Sequence, residues 1–252
     1  MYKKLLFLVL MVVLVFSQIS YAFDMKPTAE INKMYYYLNH SQIHKFSCEV
    51  STDLFEQMKE QIYPNLSNKD KKEIDRIKFY LTFKDQQLVF KASRYPKFSS
   101  EQMNKGMNQV IDGTDKMSVG FFKLWNGMIL EPLFDEAKKY DFSENETGYT
   151  AAYKELDNNV QLSFDKDYIL QKMIYGSEKQ NFTLIPGFTP TNDGLLISKI
   201  DMDLGNGMMK EHMEIEYQEI KNIYLPESVK VKVNMFQTEQ NVVLKFFNYK
   251  LN

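Results

Sequence analysis

Apolar and polar residues alternate between positions 77 and 93, and this alternation predicts two β-strands. A two-residue turn at Asp85-Gln86 would pair Phe83 with Leu88 and Leu81 with Phe90. Side chains two positions apart share one face of a strand, so this register keeps the apolar side chains together. The segment is therefore predicted to be an antiparallel hairpin.

Nine further strands are predicted from residue 140 onward, where short alternating runs are joined by turns. They cover residues 140–144, 148–156, 160–164, 168–175, 181–188, 195–204, 209–218, 224–236 and 242–251. No helical pattern separates these runs, which favours an antiparallel meander over parallel strands with crossover helices. Because no long linker interrupts the chain, we expect a single domain over residues 23–252.

Two short segments in the first third of the chain have helical periodicity. Residues 28–40 place apolar side chains at helical spacing and predict a helix. Asp53 and Glu56 have the arrangement of a capping box, which predicts that a second helix begins at Asp53. With the charged connector that follows, this predicts a helical insert at about residues 53–76.

The longest helical pattern covers residues 99–128 and is amphipathic. Its apolar stripe consists of Met103, Met107, Val110, Thr114, Met117, Phe121, Leu124, Trp125 and Met128. Methionine side chains adapt to irregular apolar partners, so the stripe is a candidate surface for a lipid. The same spacing is also typical of a helix packed on a protein core.

Four glycines recur every seven residues in this segment, at Gly106, Gly113, Gly120 and Gly127. An interior glycine weakens a helix by about 1 kcal/mol relative to alanine. Two interpretations remain open. The glycines either divide the segment into shorter helices, or they form a smooth shoulder of one helix that a sheet or an acyl chain can approach closely.

The first 22 residues have the pattern of a secretory signal peptide. Lys3 and Lys4 precede the apolar run Leu5 to Phe16, and Ser20-Tyr21-Ala22 is a small-x-small cleavage site. We expect cleavage after Ala22 and a periplasmic or secreted protein. No later apolar run reaches about 18 residues, so no transmembrane span is predicted after removal of the signal.

The charge of the mature chain disfavours nucleic acid and anionic membranes as partners. Removing Lys3 and Lys4 from 31 basic residues leaves 29 against 33 acidic residues, a net charge of −4. A polyanion would be repelled by this excess of negative charge.

Motifs for catalysis or cofactor binding do not occur in the sequence, which lacks a Gly-x-Ser-x-Gly elbow, a Walker loop and a Gly-x-Gly-x-x-Gly loop. His40 and His44 fall at the end of the predicted helix 28–40, where cations are favoured. Cys48, the single cysteine, is interpreted as a small buried hydrophobic residue. We therefore expect a protein without catalytic residues, metal or cofactor.

One polar row could supply metal ligands, because His212, Glu214 and Glu216 share one face of a predicted strand. A hairpin with a four-residue loop, Gly205 to Met208, gives a simpler explanation. Its register places opposite charges across the two strands on that face, in the pairs Asp203 with Lys210, Asp201 with His212 and Lys199 with Glu214. The row is therefore predicted to be a solvated sheet face, and an enzyme acting there is the least favoured hypothesis.

Four segments, in the order of the chain, carry a family resemblance. They are Gly194 to Ile200, Glu216 to Ile220, Ile223-Tyr-Leu-Pro226 followed by Val229 to Val233, and Leu244 to Tyr249. With the signal peptide and the helices inserted before the meander, they resemble the LolA-like periplasmic lipoprotein carriers, the outer-membrane lipoprotein-sorting-like family. The insert at residues 53–76 departs from a minimal carrier of that family.

The resemblance implies an α+β fold, in which a strongly curved antiparallel β-sheet forms a half-barrel and helices cover its concave face. Acyl chains would bind between the sheet and the methionine-rich helix, which would act as a lid. The candidate lipid-binding residues are Phe79, Leu81, Phe90, Met103, Met107, Val110, Met117, Phe121, Trp125, Ile200, Met202, Met213, Ile215, Val231 and Val233.

The predicted function is that of a non-enzymatic envelope protein, a carrier or sensor whose partner is an amphiphile, namely a lipid or a lipoprotein acyl chain. The alternative is an envelope protein–protein interaction module with a core filled by its own side chains. In that case an exposed sheet edge or the insert at residues 53–76 would contact the partner protein.

Overall fold

The computed structural model of the protein describes residues 27–38, 45–84, 87–177, 181–205, 207–236 and 238–251. The predicted signal peptide with its cleavage site, the turn at Asp85-Gln86, His40 and His44 lie outside these residues. Among the described helices, none is both long enough and apolar enough to cross a membrane.

Twelve strands of the described chain form one antiparallel sheet with the order β3-β2-β1-β12-β11-β10-β9-β8-β7-β6-β5-β4. The strands are β1 (Lys45–Thr52), β2 (Phe79–Lys84), β3 (Gln87–Ala92), β4 (Asp141–Asn145), β5 (Gly148–Glu155), β6 (Asn158–Asp165), β7 (Leu170–Gly176), β8 (Asn181–Thr191), β9 (Gly194–Leu204), β10 (Met209–Glu219), β11 (Tyr224–Met235) and β12 (Thr238–Leu251). All nine strands predicted after residue 140 are present. The pairing of Phe83 with Leu88 and of Leu81 with Phe90 is confirmed.

The predicted fold class is wrong. The sheet is neither closed nor strongly curled into a half-barrel, and the few helices do not cover a concave face. Strands account for 51% of the described residues and helices for 25%. Alternation of residue types reports which face of a strand is buried, whereas curvature depends on bulges and kinks that alternation does not encode.

Four α-helices lie within the described residues: α1 (Thr28–Asn32), α2 (Asp53–Ile62), α3 (Asn68–Ile74) and α4 (Glu101–Ile129). A 3-10 helix, Tyr63–Asn65, follows α2. Helix α1 is shorter than the predicted 28–40, because the chain leaves the helix and forms a parallel bridge between Tyr35 and Leu195. The Tyr35 hydroxyl donates to the carbonyl oxygen of Tyr168 and accepts from the amide of Leu170. These hydrogen bonds fix the segment on the sheet.

The start of α2 differs by one residue from the predicted capping box. Thr52 is the N-cap, and its hydroxyl accepts a hydrogen bond of 3.1 Å from the amide of Phe55. Asp53 instead accepts from the amide of Val243 on β12. The side chain expected to cap the helix therefore joins it to the sheet.

Helix α4 is continuous through all four glycines, which decides against the division into shorter helices. A Cβ atom built on any of the four would meet no described atom within 4 Å other than its chain neighbours and the nearby backbone of α4 itself. The glycine line is therefore not a shoulder that the sheet approaches closely.

The opposite side of α4 packs on the sheet through aromatic rings. Phe121 stacks on Phe246 of β12 at 5.7 Å between ring centroids, and Phe122 lies 5.6 Å from Phe46 of β1. A second cluster of buried residues packs α1 and Phe134 against β5, β6 and β7. Both clusters contact Met128, near the end of α4.

Candidate functional site

The fifteen predicted lipid-binding residues lie together in one hydrophobic cluster. The buried members are Phe79, Leu81, Met107, Phe121, Trp125, Ile200, Met213, Ile215 and Val231. The partly buried members, packed against them, are Phe90, Met103, Val110, Met117, Met202 and Val233. The residues that were to line a hollow therefore fill the space between helix and sheet with their own side chains.

The centre of this cluster contains a satisfied polar network. The indole Nε1 of Trp125 donates to the hydroxyl of Tyr217, which donates in turn to the carbonyl oxygen of Ile197 at 2.6 Å. Burial raises the pKa of Tyr217. A completed network of this kind indicates a core rather than a ligand pocket.

On the helix side of the sheet, burial decreases row by row toward the end where β9 turns into β10. Cross-strand pairing defines each row. The row of Pro186, Ile200, Met213, Val231 and Val242 is buried. The next row, which we call the inner row, contains Met173, Leu184, Met202, Glu211 and Val233, and it ends at the exposed Gln240 of β12. The last, the outer row, consists of Tyr153, Val160, Tyr175, Phe182, Leu204, Met209 and Met235.

From β5 to β11 the outer row is apolar, and it ends at the exposed Thr238 of β12, which pairs with Met235. Except for the buried Val160, the row is accessible to solvent. Tyr153, Tyr175, Phe182, Leu204 and Met209 are half-buried, and Met235 is 46% exposed. The row crosses seven strands, which corresponds to about 29 Å at the usual strand spacing. The apolar face of the sheet thus continues beyond the part that is buried in the core.

Glu211 is the one charged side chain in these two rows. Its direct cross-strand neighbours are Met202 and Val233, and the residues on either side of it on the same face of β10 are Met209 and Met213. Burial raises the pKa of its carboxyl group. No described side chain forms an ion pair with it, so the group can bind an amine or a hydroxyl that approaches over the apolar surface.

A cavity of about 440 Å³ adjoins the outer row at β5, β6 and β7. Met128 and Leu133 border it, and its aromatic lining comes from Tyr140, Tyr153 and Tyr175. Lys138 lies at this cavity with its Nζ 2.9 Å from a carboxylate oxygen of Glu155 and 4.8 Å from the centroid of the Tyr153 ring. The cavity is lined about equally by polar and apolar surface, and Glu131 and Asp135 also border it.

The His212 row occupies the opposite face of the sheet, as the predicted register requires. His212 Nδ1 lies 2.5 Å from Asp201 Oδ1, and Lys199 Nζ lies 3.8 Å from Glu214. Glu216 accepts hydrogen bonds from Ser228 and Lys230. These carboxylates have partners within the sheet, and the described residues contain no group of three His, Cys, Asp or Glu side chains placed to hold a metal ion.

Comparisons of the chain with protein-family models, with curated proteins and with solved structures return no match. They do not identify a LolA-like family for this chain.

Sequence reasoning missed the outer row and Glu211. The signal was present, because extending the correct β9–β10 register to the strand ends places Leu204 beside Met209 and Met202 beside Glu211. The extent of burial along each strand could not be predicted, since it depends on where α4 lies across the sheet.

Proposed function

We propose that the protein is an exported, non-enzymatic protein that binds the acyl chain of a lipid or lipoprotein along the outer row. The observation that supports this proposal is the apolar, solvent-accessible row itself, which extends the hydrophobic face beyond the closed core. Burying such a surface under an acyl chain would contribute about 25 cal/mol per Å² of apolar area. The filled interior between helix and sheet is not the binding site in this proposal.

Polar groups next to the row would position the head group. Glu211 lies within the apolar surface, and Lys138 and Glu155 lie beside the cavity at the β5–β7 end. A carboxylate in apolar surroundings favours a partner that donates hydrogen bonds or carries positive charge. We therefore expect amphiphiles with an amine or hydroxyl head group to bind more tightly than free fatty acids.

Titration with a fluorescent fatty acid tests the site with a matched pair of variants. Val233 is in the inner row, whereas Asn234 is exposed on the other face of β11. Val233→Glu introduces a charge next to Met235 of the outer row, on the same face of β11, and should weaken binding at least tenfold. Asn234→Glu introduces the same charge on the opposite face and should leave binding unchanged. Equal affinities for both variants would show that the ligand does not use this face.

A protein–protein interaction module remains the second candidate, and the filled core favours it. The edge strand β4 exposes four of its five residues, so its backbone is accessible for pairing with another chain. Crosslinking in cell envelopes distinguishes the candidates. A protein partner that is retained by Val233→Glu, together with absence of fatty-acid binding by the unchanged protein, would support the interaction module.

A further inference from the structure

Several hairpins turn at the same end of the sheet, and their tips carry the most exposed large aliphatic and phenylalanine side chains of the described residues. Leu156 at the β5–β6 tip is 92% exposed, Phe236 at the β11–β12 tip is 77% exposed and Met208 at the β9–β10 tip is 63% exposed. Met209 pairs with both Leu204 and Met235. Met208 and Phe236, the next residues toward the turns, therefore lie at the same height along the strand direction. We call this end of the sheet the apolar end.

The turns at the opposite end of the sheet are polar. Glu146-Thr147 forms the turn between β4 and β5, and Asn192-Asp193 forms the turn between β8 and β9. The turn between β10 and β11 contains Lys221-Asn222. The β6–β7 connection contains Tyr168, but its ring stacks on Tyr149 at 4.6 Å between centroids. The two ends of the sheet therefore differ in chemistry, and among the residues that the structure describes the exposed apolar tips occur at one end only.

Two of the tips hold their apolar residue in an unfavourable backbone conformation. Leu156 has a φ of 55° and Phe236 has a φ of 46°, each at the first position of a hairpin loop. Glycine or asparagine normally occupies such positions, because a Cβ atom disfavours the left-handed region. The backbone conformation of these turns favours glycine or asparagine, so it does not explain why Leu156 and Phe236 occupy these positions.

The spacing of the tips fits a bilayer better than a protein partner. Four strand spacings, about 19 Å, separate the β5–β6 tip from the β9–β10 tip, and two spacings, about 10 Å, separate that tip from the β11–β12 tip. Separate projections do not make the contiguous packed patch of a protein interface. A fluid interface, in contrast, can receive each side chain independently.

Charges beside the tips are balanced between the two signs. The basic residues near the strand ends are Lys138, Lys154, Lys210 and Lys232, and the acidic residues are Glu155, Asp157, Asp203 and Glu239. Lys232 and Glu239 form an ion pair of 2.8 Å across β11 and β12. The described residues at this end form no polybasic patch for anionic lipids, which points to a zwitterionic surface.

We propose that the apolar end, through Leu156, Met208 and Phe236, docks the protein onto the surface of a zwitterionic lipid bilayer. The three side chains enter the interface between head groups and acyl chains, and the sheet stands on its hairpin tips. The tips adjoin Met209 and Met235 of the outer row, whereas Val233 of the inner row lies one side chain further from them on the same face of β11. Val233→Glu can therefore separate docking from acyl-chain binding.

Flotation of the mature protein with phosphatidylcholine vesicles tests the proposal. We expect binding that is insensitive to salt and that falls about tenfold for each tip residue replaced, in Leu156→Asn, Met208→Ser and Phe236→Asn. These positions are exposed, so the variants should keep the unchanged protein's circular dichroism spectrum. Val233→Glu should float like the unchanged protein, which separates this proposal from the acyl-chain site.

A fluorescence measurement locates the contact. Trp125 is the single tryptophan and is fully buried, so Phe236→Trp adds one exposed reporter. We expect its emission to shift to shorter wavelength with vesicles and to be quenched by brominated acyl chains. The proposal would be overturned if the protein did not float with vesicles, or if the variant that combines Leu156→Asn, Met208→Ser and Phe236→Asn floated like the unchanged protein. It would also be overturned by binding that is restricted to anionic vesicles and lost at high salt. Self-association that depends on the tip residues, without vesicle binding, would overturn it as well.

Discussion

The indole Nε1 of Trp125 donates a hydrogen bond of 3.0 Å to the hydroxyl of Tyr217, and this bond links α4 to the centre of the sheet. Both side chains lie where an acyl chain had been expected from the sequence. Because Tyr217 also donates to Ile197, each polar atom of the pair is satisfied without a ligand. The network therefore stabilises a closed core and leaves the outer row as the accessible apolar surface.

Removing this hydroxyl should destabilise the protein. Tyr217→Phe leaves the buried Trp125 indole and the Ile197 carbonyl oxygen without their partner, and we expect a loss of about 1–3 kcal/mol in the free energy of unfolding. Urea unfolding measures the change. The double variant Trp125→Phe/Tyr217→Phe should lose less free energy of unfolding than the sum of the two single variants. In the double variant neither the indole N–H nor the tyrosine hydroxyl remains, so no buried polar group of this pair is left without its partner. Strict additivity would contradict a coupled pair.

Alanine in place of the glycines of α4 should stabilise the protein. Gly113 and Gly120 are inside the helix and have open space where a Cβ would be placed, so Gly113→Ala and Gly120→Ala should each raise the free energy of unfolding by about 0.5–1 kcal/mol. Thermal and urea unfolding provide the measurement.

Gly148 is the control for that prediction, because a Cβ at this position would overlap the carbonyl oxygen of Phe164. Gly148→Ala should therefore destabilise the protein. If Gly113→Ala and Gly120→Ala were equally destabilising, the glycine line would have to be in contact with something other than the described residues.

Glu211 should make stability depend on pH in the direction opposite to an ordinary paired carboxylate. Burial raises the pKa of its carboxyl group in the folded state, so the folded state binds the proton more tightly than the unfolded chain. The contribution of Glu211 to the free energy of unfolding is fully present below the pKa of the carboxyl group in the unfolded chain, about 4.3. This contribution is lost as the pH rises through the pKa in the folded state. Glu211→Gln should raise the melting temperature at neutral pH and have no effect near pH 4.

Glu216 on the same strand provides the matched control. The hydrogen bond from Ser228, followed by the interaction with Lys230, lowers the pKa of this carboxyl group. Its contribution is therefore present above the unfolded pKa and is lost as pH falls through the folded pKa. Glu216→Gln should lower the melting temperature at neutral pH, and the same direction of change in both variants would refute the assigned environments.

Leu156 should be replaceable with a gain in stability. Its left-handed backbone conformation is unfavourable for leucine, and its side chain is almost fully exposed. Leu156→Asn should raise the free energy of unfolding by about 0.5–1 kcal/mol. Tyr168 has a similar φ of 62°, but its ring stacks on Tyr149, so Tyr168→Asn should reduce stability. A loss of stability in Leu156→Asn would mean that the side chain has a structural role.

Local patterns in the sequence predicted the strands and the β9–β10 register, because alternation and turn residues act over a few positions. The pairings of Asp201 with His212 and of Leu81 with Phe90 were predicted on that basis and are confirmed. Short-range capping was less accurate, since Asp53 bonds to the distant strand β12 instead of its own helix.

The curvature of the sheet and the exposure of the apolar rows could not be predicted in the same way. Whether Trp125 lines a cavity or fills a core depends on contacts with Tyr217, which is 92 residues away in the chain. The resemblance to curved carriers led to the wrong fold class, because a succession of similar strands is compatible with an open or a curled sheet.

Native mass spectrometry of the protein, purified without detergent, tests the proposed acyl-chain binding at the outer row most directly. The unchanged protein and Asn234→Glu should both retain a co-purifying amphiphile, and Val233→Glu should lose it. A mass of the polypeptide alone for the unchanged protein, with no uptake of added fatty acid or lipopeptide, would contradict the proposed function.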